Sequence, residues 1–345
     1  MGPQVRGIGL DIGRKRFSRA WVTRLLETMG ELGLNTLQLH LSDSTGLGVE
    51  LPGFEALASP GALSAAEIGQ LSSAARACGV RLVPELDTPS HAVALLAGHP
   101  EWCLTDRSGA VHPDKVDISN PDATAHIRSL WDATLDLFEP EVVHLGGDEY
   151  LAAPWEGEEE RRPDRYPVLL DWARAAAEEG AAVEDAYALY ITELAAHLRP
   201  RVDDIWLWND HVVPASASPL VPVPNDIALD VWVRWRDWTP SVNDYLDSGY
   251  RVLNSNGDLL YFVLSGDGKP NVTGLKSGED IAETFRPTRF MGLAGERSWL
   301  DIDAAEPRFL GAKLTVWCDA ADSMSQEETW ERLQTWLTPF ARTFG

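Results

Sequence analysis

The chain has 345 residues, of which 44% are hydrophobic and 9% aromatic, a composition typical of a folded globular protein rather than a disordered or fibrous one. Its 53 acidic and 29 basic residues give a formal net charge of −24 at pH 7. Nucleic acids and anionic membranes are therefore not expected partners, because binding them needs clustered Lys and Arg. The sequence predicts no membrane span, since no stretch approaches 18 apolar residues, and its start, MGPQVRGIGL, shows no signal-peptide pattern.

Eight short apolar or β-branched runs recur along the chain. Most are followed by polar or Gly-rich residues and then by a helix-period pattern, which predicts a parallel α/β architecture. The predicted strands cover residues 7–10, 36–41, 81–86, 142–145, 205–208, 227–232, 251–254 and 314–317.

Helix signals separate several of these strands. Gly33 ends a helical pattern after the first strand, and capping-box pairs open two further helices, Ser64 with Glu67 and Ser325 with Glu328. The Pro- and Ser-rich stretch after the fifth strand has no helical period, so its helix is predicted to be missing or degenerate. No linker divides the chain. We therefore predict one catalytic domain over residues 1–345, an α/β protein with a (β/α)8 TIM-barrel fold.

The residues that follow the predicted strands are mostly carboxylates, histidines and aromatics. In a (β/α)8 barrel the active site lies at the C-terminal strand ends. A ring of such side chains suits a sugar, because aromatic rings pack on its apolar faces while carboxylates hold its hydroxyls. In strand order the residues are Asp11; His40 and Asp43; Glu85, Asp87 and His91; Asp148 and Glu149; Trp208; Trp232; Tyr261; and Trp317.

The fourth strand ends in the sequence EVVHLGGDEYL, with two carboxylates side by side. Neighbouring side chains of a strand point to opposite faces, but a chain that turns at Gly146 and Gly147 can direct both Asp148 and Glu149 into one cavity. Two adjacent carboxylates cannot flank a glycosidic bond as an ordinary nucleophile and acid pair does. One of them must therefore have another role.

Four segments together resemble the family 20 glycoside hydrolases, the β-N-acetylhexosaminidases and lacto-N-biosidases. The resemblance runs in order from Arg6 to about Asp319 and rests on RGIGLDIGR (6–14), NTLQLHLSD (35–43), VPELDTPSH (83–91) and HLGGDE (144–149). It implies a (β/α)8 barrel that hydrolyses terminal β-linked N-acetylhexosamine with retention, using the acetamide of the substrate as nucleophile. It implies no metal or cofactor, an oligosaccharide or glycoconjugate as substrate, and a tendency toward secretion.

The resemblance also implies roles for individual residues. Glu149 matches the general acid/base, Asp148 the acceptor of the acetamide N–H, and Tyr261 the tyrosine that holds the acetamide oxygen. Asp43 and His91 match a supporting relay, with His144 beneath the site. The matched substrate-binding residues are Arg6, for the outer hydroxyls of the sugar, Trp208, Trp232 and Trp317, for the aromatic walls, and Asp319.

Three segments depart from the family pattern. Asp43 is followed by STGLG where DDQGWR is common, Tyr261 by Phe-Val where Tyr-x-Asp is common, and Trp317 by Cys-Asp where Trp-x-Glu is usual. Carboxylates at the O4 and O6 edge of the sugar are thus lost or shortened. A lacto-N-biosidase, which releases galactose-β-1,3-N-acetylglucosamine, is the alternative to a β-N-acetylhexosaminidase. A barrel that binds carbohydrate without turnover is a third reading, and the intact Asp148, Glu149 and Tyr261 argue against it.

Structural roles stay open for several of these residues. Asp43 and His91 could be a hydrogen-bonded pair without catalytic effect, each strand-end tryptophan could be barrel core, and His40 and His144 could pack beneath the site. Glu85 and Asp87 could hold loops at the barrel mouth, and Arg6 could pair with Asp11. Asn271 opens an N-glycosylation sequon, a triplet that is common by chance.

Overall fold

The computed structural model describes residues 4–151, 162–214, 217, 219–264 and 278–344, and the sequon at Asn271 lies outside them. Eight parallel strands form a closed barrel in chain order, and the first strand pairs with both the second and the last. These strands are β1 (Val5–Asp11), β2 (Thr36–His40), β3 (Arg81–Glu85), β4 (Val142–His144), β5 (Asp204–Trp208), β6 (Ala228–Val231), β7 (Val252–Asn254) and β8 (Phe309–Trp317). All eight predicted strands and the (β/α)8 barrel are confirmed.

The seventh position of the barrel is built from two pieces, which the sequence pattern did not show. β7 pairs with the beginning of β8, with Val252 opposite Phe309. The upper part of β8 pairs instead with a short strand, Tyr261–Val263, in which Tyr261 lies opposite Thr315 and Val263 opposite Trp317. A single helical turn separates the two pieces. Tyr261 and Val263 are thereby fixed in the sheet at the C-terminal end of the barrel.

Helices cover the outside of the barrel. The capping boxes at Ser64 and Ser325 are present, and Ser18 accepts a hydrogen bond from the Trp21 N–H at the start of the first helix. Among the described residues no α-helix lies between β5 and β6, as predicted. The helices are α1 (Arg19–Glu31), α2 (Ala65–Ala77), α3 (Pro121–Phe138), α4 (Pro167–Ala176), α5 (Val183–Leu198), α6 (Val242–Asp247), α7 (Gly257–Leu260), α8 (Gly278–Thr284) and α9 (Gln326–Arg342).

In the described loops, three antiparallel strand pairs form: Ser42–Asp43 with Gly46–Leu47, Cys103–Thr105 with Val111–Val116, and Arg289–Met291 with Trp299–Asp301. No helix in the described part of the chain is both long and apolar enough to cross a membrane. The assignment of the whole chain to one domain remains a prediction.

The interior of the barrel is layered along its axis. Toward the N-terminal strand ends an apolar plug fills it, made of Val5, Val83, Val142, Trp206, Ala228 and Leu253. Toward the C-terminal ends Trp208, Val263 and Trp317 pack together, with Trp232 and Tyr261 beside them. Between these two layers lie buried polar side chains, among them Gln38, Glu85, His144, Asp230 and Lys313. A cavity opens above the aromatic layer.

Candidate active site

A cavity of about 610 Å³ opens at the C-terminal ends of the barrel strands. It brings together eight of the predicted site residues, which come from loops or strand ends all around the barrel. They are Asp43, His91, Asp148, Glu149, Trp232, Tyr261, Trp317 and Asp319. Arg14, Asp87 and Trp235 also line it.

The turn after β4 directs two neighbouring carboxylates into this cavity. Gly146 and Gly147 have φ values of +75° and +95°, and Glu149 itself has a φ of +53°. A side chain at Gly146 would collide with the carboxylate of Asp87, and one at Gly147 would lie 2.5 Å from the Tyr187 hydroxyl. Both positions therefore need glycine, and the resulting turn aims Asp148 and Glu149 at the same cavity.

Asp148 is the more enclosed of the two carboxylates. Its side chain is 15% exposed, and its Oδ1 atom is buried without a hydrogen-bond partner in the described part of the protein. Burial raises the pKa of Asp148, His91 opposes that rise, and the nearby Glu149 charge adds to it. A buried oxygen without a donor is costly, so this atom is suited to accept a hydrogen bond from a bound ligand.

Glu149 lies at the end of a chain of charged groups. Its Oε2 is 3.5 Å from Nε2 of His91, and Nδ1 of His91 is 3.6 Å from Oδ1 of Asp43. Asp43 also contacts His40 Nε2 and Arg14 Nη2, each at 2.8 Å. The structure thus brings the predicted relay together.

The proton states within this chain follow from its contacts. The hydrogen bond from His91 lowers the pKa of Glu149. Burial alone would lower the pKa of His91, but the carboxylates of Asp87, Asp43, Glu149 and Asp148 hold it well above its usual value. Burial likewise opposes ionisation of Asp43, yet hydrogen bonds from His40 and His91 hold its pKa far below the usual range. At neutral pH the imidazole therefore carries the proton, and both neighbouring carboxylates in the chain are ionised.

Three of the predicted aromatic residues form walls of the cavity. Tyr261 and Trp232 are parallel within 8°, with ring centroids 5.7 Å apart, and Trp317 stands at 70° to Tyr261 at 5.6 Å. Trp208, predicted as one of the three tryptophan walls, does not line the cavity. It is 1% exposed, and its indole N–H donates to Glu85 at 2.8 Å, so it forms part of the layer beneath.

His144 also lies beneath the site, which agrees with the structural role that the sequence left open for it. It is fully buried, with Nδ1 3.3 Å from Glu85 Oε1 and Nε2 3.5 Å from Asp230 Oδ2. His144 therefore belongs to the polar layer of the barrel interior and does not reach the cavity.

The arginine of the cavity is Arg14, which corrects the prediction for Arg6. Arg6 lies near the N-terminal end of β1, opposite Ala312, and does not line the cavity, nor does it pair with Asp11. Arg14 follows β1, and Asp11 accepts hydrogen bonds from its backbone N–H at 2.8 Å and from its guanidinium at 3.0 Å. The guanidinium also lies 3.8 Å from Asp319, whose side chain is 54% exposed.

Asp210 is a functional candidate that sequence reasoning missed. It lies two residues beyond β5, and its half-buried carboxylate accepts hydrogen bonds from the backbone N–H of Glu149 at 3.3 Å and from the indole N–H of Trp232. It therefore fixes the Glu149 backbone and an aromatic wall together. Burial and the charges of Asp148 and Glu149 raise the pKa of Asp210. The signal in the sequence was a carboxylate just after a strand end, as at the other positions of the ring.

Within the described ranges, two sets of side chains have a spacing that a metal ion could use: His40, Asp43 and Asp87, and Asp87, His91 and Asp148. Several of these groups already engage one another or the backbone. Asp87 accepts the Gly147 N–H at 3.2 Å, and Asp43 accepts from His40. That the site uses no metal or cofactor remains a prediction.

Comparisons with known proteins fit this geometry. Residues 4–336 match the family model described as glycosyl hydrolase family 20, catalytic domain. The chain is 24% identical over 323 residues to a lacto-N-biosidase of Bifidobacterium bifidum, covering 94% of this chain and 26% of that protein. It is 27% identical to β-hexosaminidase subunit A1 of Dictyostelium discoideum, covering 95% of this chain and 57% of that one.

The chain therefore spans between about a quarter and just over half of the length of these curated relatives. Among solved structures, a catalytic module of the pneumococcal exo-β-D-N-acetylglucosaminidase StrH superposes with a TM-score of 0.74. That match covers 99% of this chain and 83% of the module at 20% identity, which supports the barrel fold.

Proposed function

Because the chain belongs to glycosyl hydrolase family 20, we propose that it is a retaining, exo-acting glycoside hydrolase that releases β-linked N-acetylhexosamine from the non-reducing ends of oligosaccharides or glycoconjugates. The observation that carries the proposal is the convergence of Asp148, Glu149 and Tyr261 on one cavity with aromatic walls. Asp148 offers a buried oxygen that has no hydrogen-bond partner among the described residues, and Glu149 offers a carboxyl group coupled to a protonated imidazole.

In the first step Glu149 protonates the glycosidic oxygen while the acetamide oxygen of the substrate attacks the anomeric carbon. The bond to the leaving group breaks, and an oxazolinium ion forms. Asp148 accepts a hydrogen bond from the acetamide N–H, which orients the acetamide and stabilises the positive charge that develops on it. The Tyr261 hydroxyl holds the acetamide oxygen in line with the anomeric carbon.

In the second step Glu149 takes a proton from water, whose oxygen adds to the anomeric carbon from the side that the leaving group vacated. The acetamide is regenerated, and the configuration is retained after two inversions. Substrate-assisted hydrolysis of this kind is a known exception to the rule of two flanking carboxylates. His91 lies 3.5 Å from Glu149, so it can pass its proton to Glu149 before the first step and take back, after the second, the proton that Glu149 receives from water.

One observation favours a lacto-N-biosidase as a second candidate. Val263 lines the cavity at the position where the family commonly has an aspartate, and Asp319 is held toward Arg14. An apolar side chain cannot accept a hydrogen bond from a sugar hydroxyl. The outer edge of the donor site therefore binds a terminal monosaccharide less selectively than a site closed by a carboxylate. A second sugar on the donor side could be accommodated there.

Nitrophenyl β-glycosides of N-acetylglucosamine and of galactose-β-1,3-N-acetylglucosamine test the two candidates. Release of nitrophenol from the monosaccharide glycoside, with a first-formed β-anomer seen by proton NMR, supports the hexosaminidase. Cleavage of the disaccharide glycoside alone supports the lacto-N-biosidase. Binding of both sugars without cleavage of either would contradict hydrolysis and indicate an inactive carbohydrate-binding barrel.

A further inference from the structure

A second cavity, of about 770 Å³, adjoins the first at the C-terminal face of the barrel. The two cavities share Glu149, Val233 and Trp235 among their lining residues. Asp148, Tyr261 and Trp317 line the first cavity only. The second cavity therefore begins at Glu149 and extends away from the group that would hold the acetamide.

This position identifies what the second cavity receives, on the basis of the proposed function. A general acid must lie beside the glycosidic oxygen, between the sugar that is cleaved off and the leaving group. The donor sugar occupies the cavity that holds Asp148 and Tyr261. The cavity on the other side of Glu149 then faces the leaving group.

The wall of the second cavity carries an aromatic series at every third position of the loop after β6. Trp232 belongs to the donor site, Trp235 packs edge-on against it with ring centroids 5.2 Å apart, and Trp238 lines the second cavity alone. Trp238 is 67% exposed, more than any other large apolar side chain in the described ranges. An indole left in water at the mouth of a site is a surface on which the apolar face of a sugar ring can pack.

The loop that presents Trp238 is braced from within. The Arg234 guanidinium donates hydrogen bonds to the carbonyl oxygens of Asp237 at 2.7 Å and Thr239 at 3.0 Å, on either side of Trp238, and to that of Gly292 at 3.3 Å. The Thr239 hydroxyl donates to the Arg236 carbonyl at 2.7 Å. The indole is thus held by a preorganised loop, which reduces the entropy that a bound ligand would have to remove.

Charge restricts the kind of leaving group. Among the described residues that line the second cavity, carboxylates outnumber arginines five to three, so an anionic glycan would be disfavoured there. Carboxylates such as Glu184 and Asp237 can accept hydrogen bonds from sugar hydroxyls. The chemistry fits an uncharged sugar.

We propose that the second cavity binds a leaving group of at least two uncharged sugar residues, with Trp235 beside the first and Trp238 under the second. The protein would then prefer oligosaccharides to glycosides with small leaving groups. This inference rests on the proposed function, because the role of Glu149 as the general acid determines which cavity holds the donor sugar and which holds the leaving group.

Trp238→Ala tests the proposal with a pair of substrates. The first is the β-fluoride of N-acetylglucosamine, whose leaving group is a single ion that touches neither tryptophan. The second is the β-1,4-linked tetramer of N-acetylglucosamine. If the protein accepts only galactose-β-1,3-N-acetylglucosamine as donor, the two substrates are the β-fluoride of that disaccharide and its β-linked conjugate with lactose. We expect kcat/KM for the oligosaccharide to fall about threefold to tenfold, the size of one aromatic packing contact, while that for the fluoride is unchanged.

Two control variants sharpen the test. Trp238→Phe, which keeps an aromatic face, should retain most of the oligosaccharide activity. Val111→Ala removes another exposed apolar side chain, which is 51% exposed and lines neither cavity, and should change neither substrate. Equal loss on both substrates, or no loss on either, would overturn the leaving-group site. A wild-type protein that cleaves no donor at all would overturn the proposed function itself. Hydrolysis of the fluoride tests that function separately, because it does not depend on the leaving-group site.

Discussion

Neighbouring carboxylates in this cavity differ because their surroundings differ. Asp148 is enclosed, and one of its oxygens has no hydrogen-bond partner in the part of the chain that the structure describes, whereas Glu149 is 39% exposed and 3.5 Å from an imidazole. Burial raises the pKa of Asp148, and the His91 hydrogen bond lowers the pKa of Glu149. These pKa directions do not assign the tasks; the geometry does, because Asp148 has a buried oxygen with no donor among the described residues, whereas Glu149 contacts the imidazole that carries the proton.

Glu149→Gln removes the proton carrier without changing the size of the side chain. We expect kcat/KM to fall roughly 10²- to 10⁴-fold for oligosaccharides, whose leaving group needs a proton. The β-fluoride of the same donor needs no proton and should lose much less. Steady-state kinetics on both substrates measure the difference, and an equal loss on both would contradict the role of Glu149 as the acid.

Asp148→Asn replaces the carboxylate by a neutral amide, which can still accept a hydrogen bond from the acetamide N–H but no longer offsets the positive charge that develops on the acetamide. Since the lost interaction would be strongest in the transition state, we expect kcat to fall roughly 10²- to 10³-fold. Binding of a thiazoline that mimics the bicyclic intermediate should weaken as well, which isothermal titration calorimetry can measure. Unchanged turnover and thiazoline affinity would show that Asp148 does not contact the acetamide.

His91→Asn tests the shared proton through the pH profile. Asp43, Asp87, Asp148 and Glu149 surround the imidazole and hold its pKa well above the usual 6.5, so the His91–Glu149 pair keeps its proton until the pH exceeds that raised value. The alkaline limb of kcat/KM should therefore lie above pH 6.5 in the wild type. In the variant Glu149 loses the proton alone, so the limb should move to lower pH. A limb that stays in place would mean that His91 does not share the proton.

Arg6 and Arg14 show why side-chain placement was harder to predict than chemistry. Both lie in the segment RGIGLDIGR, and both could be matched to a sugar-binding arginine. The difference is that Arg6 enters β1 at its N-terminal end, whereas Arg14 follows the strand and is held by Asp11. A residue beyond the C-terminal strand end reaches the site of a parallel barrel, and a residue at the other end does not.

Strands were predictable because each buried run is apolar and bounded by polar or glycine residues. The broken seventh strand was not, because its two pieces pair with different parts of one long strand, β8, and that register depends on distant residues. Asp210 was missed for a similar reason. Its place just after a strand end is a local signal, but its contact with the backbone N–H of Glu149, 61 positions earlier, is not visible in any local pattern.

The turn after β4 is the element on which the site depends most directly. A Cβ atom at Gly147 would lie 2.5 Å from the Tyr187 hydroxyl and 2.6 Å from Leu207 Cδ1, at a φ of +95°. Gly147→Ala should therefore lower the free energy of unfolding by roughly 2–4 kcal/mol, from left-handed strain and overpacking together. Because Asp148 follows directly, activity should fall as well. Urea unfolding and kinetics measure the two effects.

Gly53→Ala is the matched control for that substitution. Gly53 has a φ of +83°, but a Cβ atom there would meet nothing within 4 Å. Only the strain of a left-handed alanine remains, about 1 kcal/mol, with no effect on kinetics. Equal destabilisation by the two variants would show that Gly147 is required for its conformation and not for the space it leaves.

Across the whole barrel, a buried polar layer connects the strands beneath the site. Lys313 on β8 lies 2.5 Å from Asp230 on β6 and donates to Gln38 on β2 at 2.5 Å. Gln38 donates in turn to Glu85 at 2.7 Å, and His40 Nδ1 is 2.9 Å from the same carboxylate. Since His40 contacts Asp43, the layer extends without a break from the barrel interior to the relay around Glu149.

Lys313→Met tests what this layer contributes to the fold. Removing one partner of a buried ion pair leaves the other charge uncompensated, so we expect the free energy of unfolding to fall by about 3–5 kcal/mol at pH 7. Asp230→Asn in the same background should recover most of that loss, because no buried charge then lacks its partner.

The pH dependence of the Lys313→Met effect separates charge from packing. Although burial opposes ionisation, Lys313 and His144 lower the pKa of Asp230, so in the wild type the folded carboxyl binds its proton at a lower pH than the unfolded one. The pair therefore stabilises the fold above about pH 4, and that contribution disappears as the pH falls through the folded pKa. In the variant, burial without the cation raises the pKa of Asp230, so the carboxyl is neutralised on acidification and the cost of an unpaired buried charge is relieved.

The difference in the free energy of unfolding between wild type and variant should thus be largest at pH 7 and shrink toward pH 4 in urea titrations. A difference that is equal at both pH values would mean that Lys313 acts through packing around the Trp208 ring, 4.2 Å from its ammonium, and not through its charge.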